Sequence, residues 1–165
     1  MFEKGDYISY GCKGVCKVEG ITLLDVPGTV KKREYYMIKP VYEQNGIIYT
    51  PVDNQKVSTW RKILTKEEAE SLLKQLPQLE MIQVEERKLF EEECKKAVQS
   101  GECVEWLRVI KTLLCERERR NQQGKKLTTT YERYLKAAED KLYGELAVSL
   151  DIERSKFPLF QYDFQ

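Results

Sequence analysis

The sequence predicts an α+β protein. A small β barrel or roll occupies residues 1–64, and an antiparallel helical bundle follows over residues 65–165. The first 64 residues alternate apolar and polar positions in short runs separated by Gly, Pro and Asn turn signals. Beyond Leu64 the apolar spacing becomes helical and is opened twice by a Thr-x-x-Glu capping pattern. A charged fraction of 33% beside 41% hydrophobic residues suits long helices with solvated faces.

The strands follow in order. Tyr7-Ile8-Ser9-Tyr10 comes after a Gly-Asp turn and carries β-formers. Gly14 to Ile21 alternates, as a half-buried strand does. Pro27-Gly28 marks a turn and Glu34 to Val41 the next strand. Asn45-Gly46 signals a tight hairpin, because both residues tolerate positive φ, and Gly46 to Val52 runs back. Pro51 has no N–H for a ladder bond, so that strand ends there or lies at a sheet edge.

The helices are bounded by their caps. Thr65 with Glu68 opens the first, whose stripe is Ala69, Leu72, Leu73 and Leu76, and Pro77 stops it. The second spans Val84 to Gln99, with Leu89, Phe90, Cys94, Ala97 and Val98 inward and Glu91–Lys95 and Glu92–Lys96 as i,i+4 pairs. Glu102 to Gln122 is the third, with Trp106, Leu107, Ile110, Leu113 and Leu114 inward, ended by Gly124. Thr129 with Glu132 caps the fourth, which aligns Tyr131, Leu135, Ala138, Leu142 and Leu146. Helices joined by short loops bury such stripes against each other. Trp106 belongs to the core. Trp60 reads either as a plug between the two halves or as an exposed anchor, and the first is favoured because large aromatics are seldom left bare. The tail from Phe157 to Phe164 is aromatic but aperiodic.

Composition removes whole classes of chemistry. Histidine is absent, which excludes Ser-His and Cys-His pairs and imidazole-ligated metals. No Gly-rich phosphate loop or nucleophile elbow is present. Cys12 and Cys16 form a C-x-x-x-C pair without two further ligands, so no metal and no cofactor is expected, and the chain is not expected to be an enzyme. Five scattered cysteines fit a reducing cytoplasm rather than a disulfide framework. No run of apolar residues is long enough to span a membrane.

The net charge is +1, so any nucleic-acid contact must be local. The basic run Arg108, Lys111, Arg117, Arg119, Arg120, Lys125, Lys126 stands against only Glu116 and Glu118. It reads either as a phosphate-contacting strip or as a solvated helix end whose cations complement the helix dipole, and the pattern alone favours the second.

Several segments together resemble a known family: Lys4-Gly5-Asp6-Tyr7-Ile8-Ser9-Tyr10-Gly11, Gly14-Val15, Val18-Glu19-Gly20-Ile21, Glu34-Tyr35-Tyr36-Met37-Ile38-Lys39-Pro40 and Tyr49-Thr50-Pro51-Val52-Asp53-Asn54. They resemble the N-terminal domain of the CarD/CdnL transcription regulators, a module shared with the bacterial transcription-repair coupling factor. Ser100-Gly101-Glu102 and the stretch from Leu127 through Tyr143-Gly144-Glu145-Leu146-Ala147 are similar to that family's helical half.

The resemblance implies a Tudor-like or SH3-like domain over residues 1–64 that binds the β subunit of bacterial RNA polymerase. It implies a helical domain over residues 65–165 that lies on promoter DNA at the upstream edge of the transcription bubble. The protein would then change open-complex lifetime without reading sequence. Ile47, Ile48, Tyr49, Thr50 and Pro51, with Leu24 and Asp25 in a second segment, are the expected polymerase contacts, and an open sheet edge suits β-augmentation. Two family arginines are replaced here, by Tyr49 and by Leu24 or Asp25. The family's wedge tryptophan aligns with the window Gln83 to Arg87, which holds no aromatic, and a second family tryptophan aligns with Leu114. Arg87 and Lys88, with Lys125, Lys126 and Arg133, are the expected DNA contacts. Glu85 and Glu86 beside them oppose phosphate, so the expected binding is weak and non-specific. The alternative of another class is an interaction adaptor whose β module docks on a different partner without touching DNA.

Overall fold

Alternating apolar residues make a sheet, and the computed structural model, which describes residues 1–44 and 46–157, forms it from five strands. These are β1 (Tyr7–Tyr10), β2 (Gly14–Asp25), β3 (Lys32–Pro40), β4 (Ile48–Pro51) and β5 (Arg61–Lys62). The order is β4-β3-β2-β1-β5 and every neighbour is antiparallel. Four α-helices follow among the described residues: α1 (Lys66–Lys74), α2 (Arg87–Gln99), α3 (Cys103–Gln122) and α4 (Thr129–Ser149). The chain is thus α+β, in two units, Met1–Ile63 and Leu64–Gln165, each with its own core.

The strand-rich unit buries Ile8, Cys16, Val18, Tyr36, Ile38 and Trp60. So small a core relies on aromatic bulk. The Trp60 ring lies 4.8 Å from Tyr10, 5.9 Å from Tyr36 and 6.1 Å from Phe2, centroid to centroid. Trp60 is therefore a core residue of this unit and not the plug expected from sequence. The run Gln55–Thr59 folds as a 3₁₀ turn, capped by the Asn54 side chain on the Lys56 N–H, and delivers Trp60 inward. The two-residue β5 beside it carries no periodic signal and is absent from the sequence reading.

Strands β2 and β3 are longer than their alternation suggested and extend as a paired arm to Asp25 and Lys32. A bulge at Glu19 re-phases β2, so that Gly20 lies opposite Met37. Gly20 has φ +153, and a Cβ there would stand 3.3 Å from Met37 Cε. The connection to β4 is wider than a two-residue hairpin, since the pair nearest the loop is Ile38 with Ile48. Asn45 itself lies outside the described residues.

In the helical unit the Thr65–Glu68 capping box forms in both directions. Helix α2 begins at Arg87, three residues later than expected, and Leu89 on it is exposed. Its ion pairs are Arg87–Glu91 and Glu93–Lys96 rather than those expected from spacing. The cap of α4 is Thr128, not Thr129; its hydroxyl accepts the Tyr131 N–H at 3.3 Å. The core joins α2, α3 and α4 through Cys94, Ala97, Trp106, Leu107, Ile110, Leu113, Leu135, Leu142 and Leu146. Trp106 is buried as expected and donates Nε1–H to Val98 O at 3.0 Å. Phe157 stacks on Tyr143 at 5.4 Å; the rest of the aromatic tail lies outside the described residues.

Two buried polar side chains tie loops to helices. Glu145, 1% exposed, accepts the Leu64 N–H and the Cys103 thiol, each at 3.1 Å. Lys111, 8% exposed, donates from Nζ to the carbonyls of Leu76 and Leu79 at 2.7 Å and of Pro77 at 3.3 Å. It gathers the turn after α1, where Pro77 has broken the helix. Lys111→Met removes the donor and leaves those carbonyls against apolar side chains. It should lower unfolding stability by about 2–3 kcal/mol in urea titration. A midpoint equal to that of the parent chain would show that the turn does not depend on Lys111.

Candidate partner-binding surfaces

Among the described residues strand β4 pairs with β3 alone, so its other side is a free edge there. The Val52 N–H donates to Glu34 O at 3.0 Å, which fixes the phase of the ladder. In an antiparallel pair every second residue points its peptide groups at the neighbour. Ile48 and Thr50 therefore bond to Ile38 and Tyr36, while Tyr49 and Pro51 turn their backbone groups outward. The outward edge offers the N–H and C=O of Tyr49 and the C=O of Pro51. Pro51 forgoes no ladder bond, because the position it occupies would have pointed its N–H away from β3.

The side chains sort the same way. Thr50 is buried, with its hydroxyl 3.4 Å from Tyr10 OH, and Ile48 packs on the core. Tyr49 is 48% exposed and Ile47 44%. Of the residues expected at the interface, Ile47, Tyr49 and Pro51 are thus accessible, and Ile48 and Thr50 hold the strand down from behind.

Leu24 and Asp25 lie at the tip of the β2–β3 arm, opposite Arg33 and Lys32. Paired residues share a sheet face and successive residues alternate. Since Tyr36, Ile38 and Ile48 face the core, Arg33, Tyr35, Met37, Lys39, Tyr49 and Pro51 face outward. Leu24 and Thr22, paired with Arg33 and Tyr35, join them. Arg33 Nε donates to Asp53 at 2.9 Å, two residues past Pro51. Leu24 and Tyr49 therefore stand on one face, linked through β3, whereas Asp25 belongs to the opposite face. Tyr35 and Met37, which fill the space between them, are not among the contacts expected from sequence; only a strand register reveals that role.

The helical unit gathers a second group. Phe90 packs on Tyr131 at 5.2 Å, which brings the start of α2 beside the start of α4. The end of α3 reaches the same place, since Arg117 pairs with Glu132 at 3.0 Å. Helix α3 closes with Gly124 at φ +71; the Lys125 N–H reaches Arg120 O and the Gly124 N–H reaches Asn121 O. This double bond pattern at a left-handed glycine turns the chain sharply and fixes Lys125 and Lys126 at the helix end. Arg87, Lys88, Lys125, Lys126 and Arg133 thus occupy the α2, α3 and α4 termini at one end of the unit.

Charge pairing divides these cations. Arg87 is held by Glu91, whereas Lys88, Lys125, Lys126 and Arg133 are exposed and have no carboxylate within salt-bridge distance among the described residues. The rest of the basic run does not form a strip. Lys111 is buried, Arg108 bonds Glu80 O and pairs with Glu105, and Glu116 holds both Arg119 and Arg120. Hydrogen bonds from Arg119 lead the effects that hold the Glu116 carboxyl below its usual range.

The window Gln83 to Arg87 borders a cleft of about 640 Å³ lined by Met81, Ile82, Val84, Phe90 and Cys115. Its nearest aromatic, Phe90, is committed to Tyr131 and does not stand in for a wedge. Burial pushes the Cys94 thiol up to about 12, which leaves it un-ionised and inert. Among the described residues no three His, Cys, Asp or Glu side chains cluster to hold a metal ion. No helix among them is long and apolar enough to cross a membrane.

Comparison with protein-family models matches residues 2–64 to the CarD-like/TRCF RID domain. The match coincides with the strand-rich unit and leaves the helices outside it. No curated protein matches the chain.

The Glu116 pairs give a pH signature. A carboxyl with a lowered folded pKa stabilises fully above its unfolded value and loses that contribution as pH falls through the folded value. Glu116→Gln should melt below the parent chain at pH 7, and the gap should close as pH drops below about 4. A gap that persists at about pH 2 would show that ionisation of Glu116 is not its source.

Proposed function

Because residues 2–64 belong to the CarD-like/TRCF RID domain family, we propose that this chain is a transcription regulator that docks on the β subunit of RNA polymerase through the free edge of β4. The observation that supports this reading most is the outward edge at Tyr49 and Pro51, unpaired by any strand among the described residues. A partner strand laid there gains main-chain bonds, and the side chains beside the edge set its specificity. Ile47, Tyr49 and Pro51 make direct contact, Ile48 and Thr50 back the strand, and Leu24 extends the contact along the same face. Asp25 contributes at the arm tip. The strand-rich unit acts as a Tudor-like roll and the helices as an antiparallel bundle.

The helical unit then contacts promoter DNA without sequence readout. Lys88, Lys125, Lys126 and Arg133 supply free cations for phosphates, and Arg87 joins them when it leaves Glu91. Glu85 and Glu86 are exposed beside Lys88 and weaken that contact. With no aromatic wedge, the chain opposes restacking of the bubble edge poorly and changes open-complex lifetime modestly.

Tyr49→Glu should lower affinity for RNA polymerase about tenfold or more in a direct binding titration. Unchanged affinity would move the contact to another surface, and no binding by the parent chain would favour the adaptor. Lys125→Ala with Lys126→Ala should flatten the log–log salt dependence of DNA affinity by about 2; an unaltered slope removes that loop from the DNA contact. Glu86→Trp should lengthen open-complex lifetime, and no change with polymerase binding intact would show that the helices do not reach the bubble.

A further inference from the structure

Lys17 and Lys39 stand directly opposite each other across β2 and β3. Like charges in that position repel and weaken a sheet. Neither lysine reaches a carboxylate among the described residues. Lys17 Nζ lies 5.8 Å from the centroid of the Tyr7 ring. The pair lies on the outward sheet face, at one end of the row formed by Met37, Tyr49, Tyr35, Pro51 and Leu24. At the far end Arg33 is neutralised by Asp53. The face is therefore an apolar and aromatic strip with two uncompensated cations at one end.

We propose that this face continues the β4 docking surface and that Lys17 and Lys39 together receive carboxylates of an acidic polymerase segment seated across it, an inference that rests on the reading of β4 as the polymerase contact. The occupant is a polypeptide rather than a nucleic acid for two reasons on the surface itself. The strip runs into a free strand edge, which pairs with peptide backbone. Its free cations sit at one end only, whereas a polyanion needs cations along its whole path, and the Arg33–Asp53 pair at the other end carries no net charge. An apolar centre with charges at its rim is the usual anatomy of a protein–protein contact.

The proposal separates folding from binding, because the repulsion that weakens the free sheet is what the partner relieves. Lys39→Glu in the full chain places opposite charges across β2 and β3. It should raise the melting temperature by roughly 1–4 °C. The same variant should weaken binding to RNA polymerase core enzyme about tenfold and flatten its salt dependence. Lys39→Arg should keep the affinity of the parent chain. Lys17→Gln provides a second probe with the same signs and smaller size. Polymerase affinity unchanged in Lys39→Glu while Tyr49→Glu abolishes binding would overturn the inference and leave the docking reading intact. Loss of affinity in Lys39→Arg equal to that in Lys39→Glu would also overturn it, because charge would not be the cause. So would a Lys39→Glu effect confined to binding of a single-stranded oligonucleotide. Failure of Tyr49→Glu to affect polymerase binding would remove the underlying reading itself.

Discussion

An antiparallel strand satisfies only every second peptide group from one neighbour, so a strand at the margin of a sheet leaves the others to water or to a partner. That constraint organises the strand-rich unit. The bond from Val52 to Glu34 sets the phase, and the phase decides that Tyr49 and Pro51 face out while Ile48 and Thr50 face back. The side chains obey the same alternation, so the accessible tyrosine and the accessible peptide groups belong to one residue. The thin core beneath, stiffened by Phe2, Tyr10, Tyr36 and Trp60, keeps that margin in place.

The helical unit is governed by a competition for charge. Its sequence offers a run of cations, but most are engaged within the unit. Lys111 serves a turn, Glu116 binds two guanidiniums, and Arg117 bridges two helices. The cations left over lie at helix ends, where capping geometry rather than helix phase places them. Cations placed in this way would make any phosphate contact diffuse and readily screened by salt.

Much of this architecture is legible in the residues. Alternation places β1 to β4, the Thr65–Glu68 box opens α1, and the phase of Trp106 with Ile110 and Leu113 puts it in the core. Boundaries shift where two residues compete for one role, as Thr128 and Thr129 do at the start of α4. Trp60 was misplaced because its partners Phe2 and Tyr36 are brought to it by strand pairing distant in sequence. The Met37–Tyr35 patch and the opposed lysines are invisible for the same reason. They depend on a register that the Glu19 bulge shifts by one residue, and nothing local announces a bulge except a glycine at position 20.

Pro51 has one more consequence. An unguarded margin invites identical molecules to zip together strand upon strand, the first step toward fibres. A zipper needs a donor at every outward position, and at Pro51 the row of donors stops. The outward row of donors is thus too short to template a growing stack, and a single imino acid guards the margin against self-association.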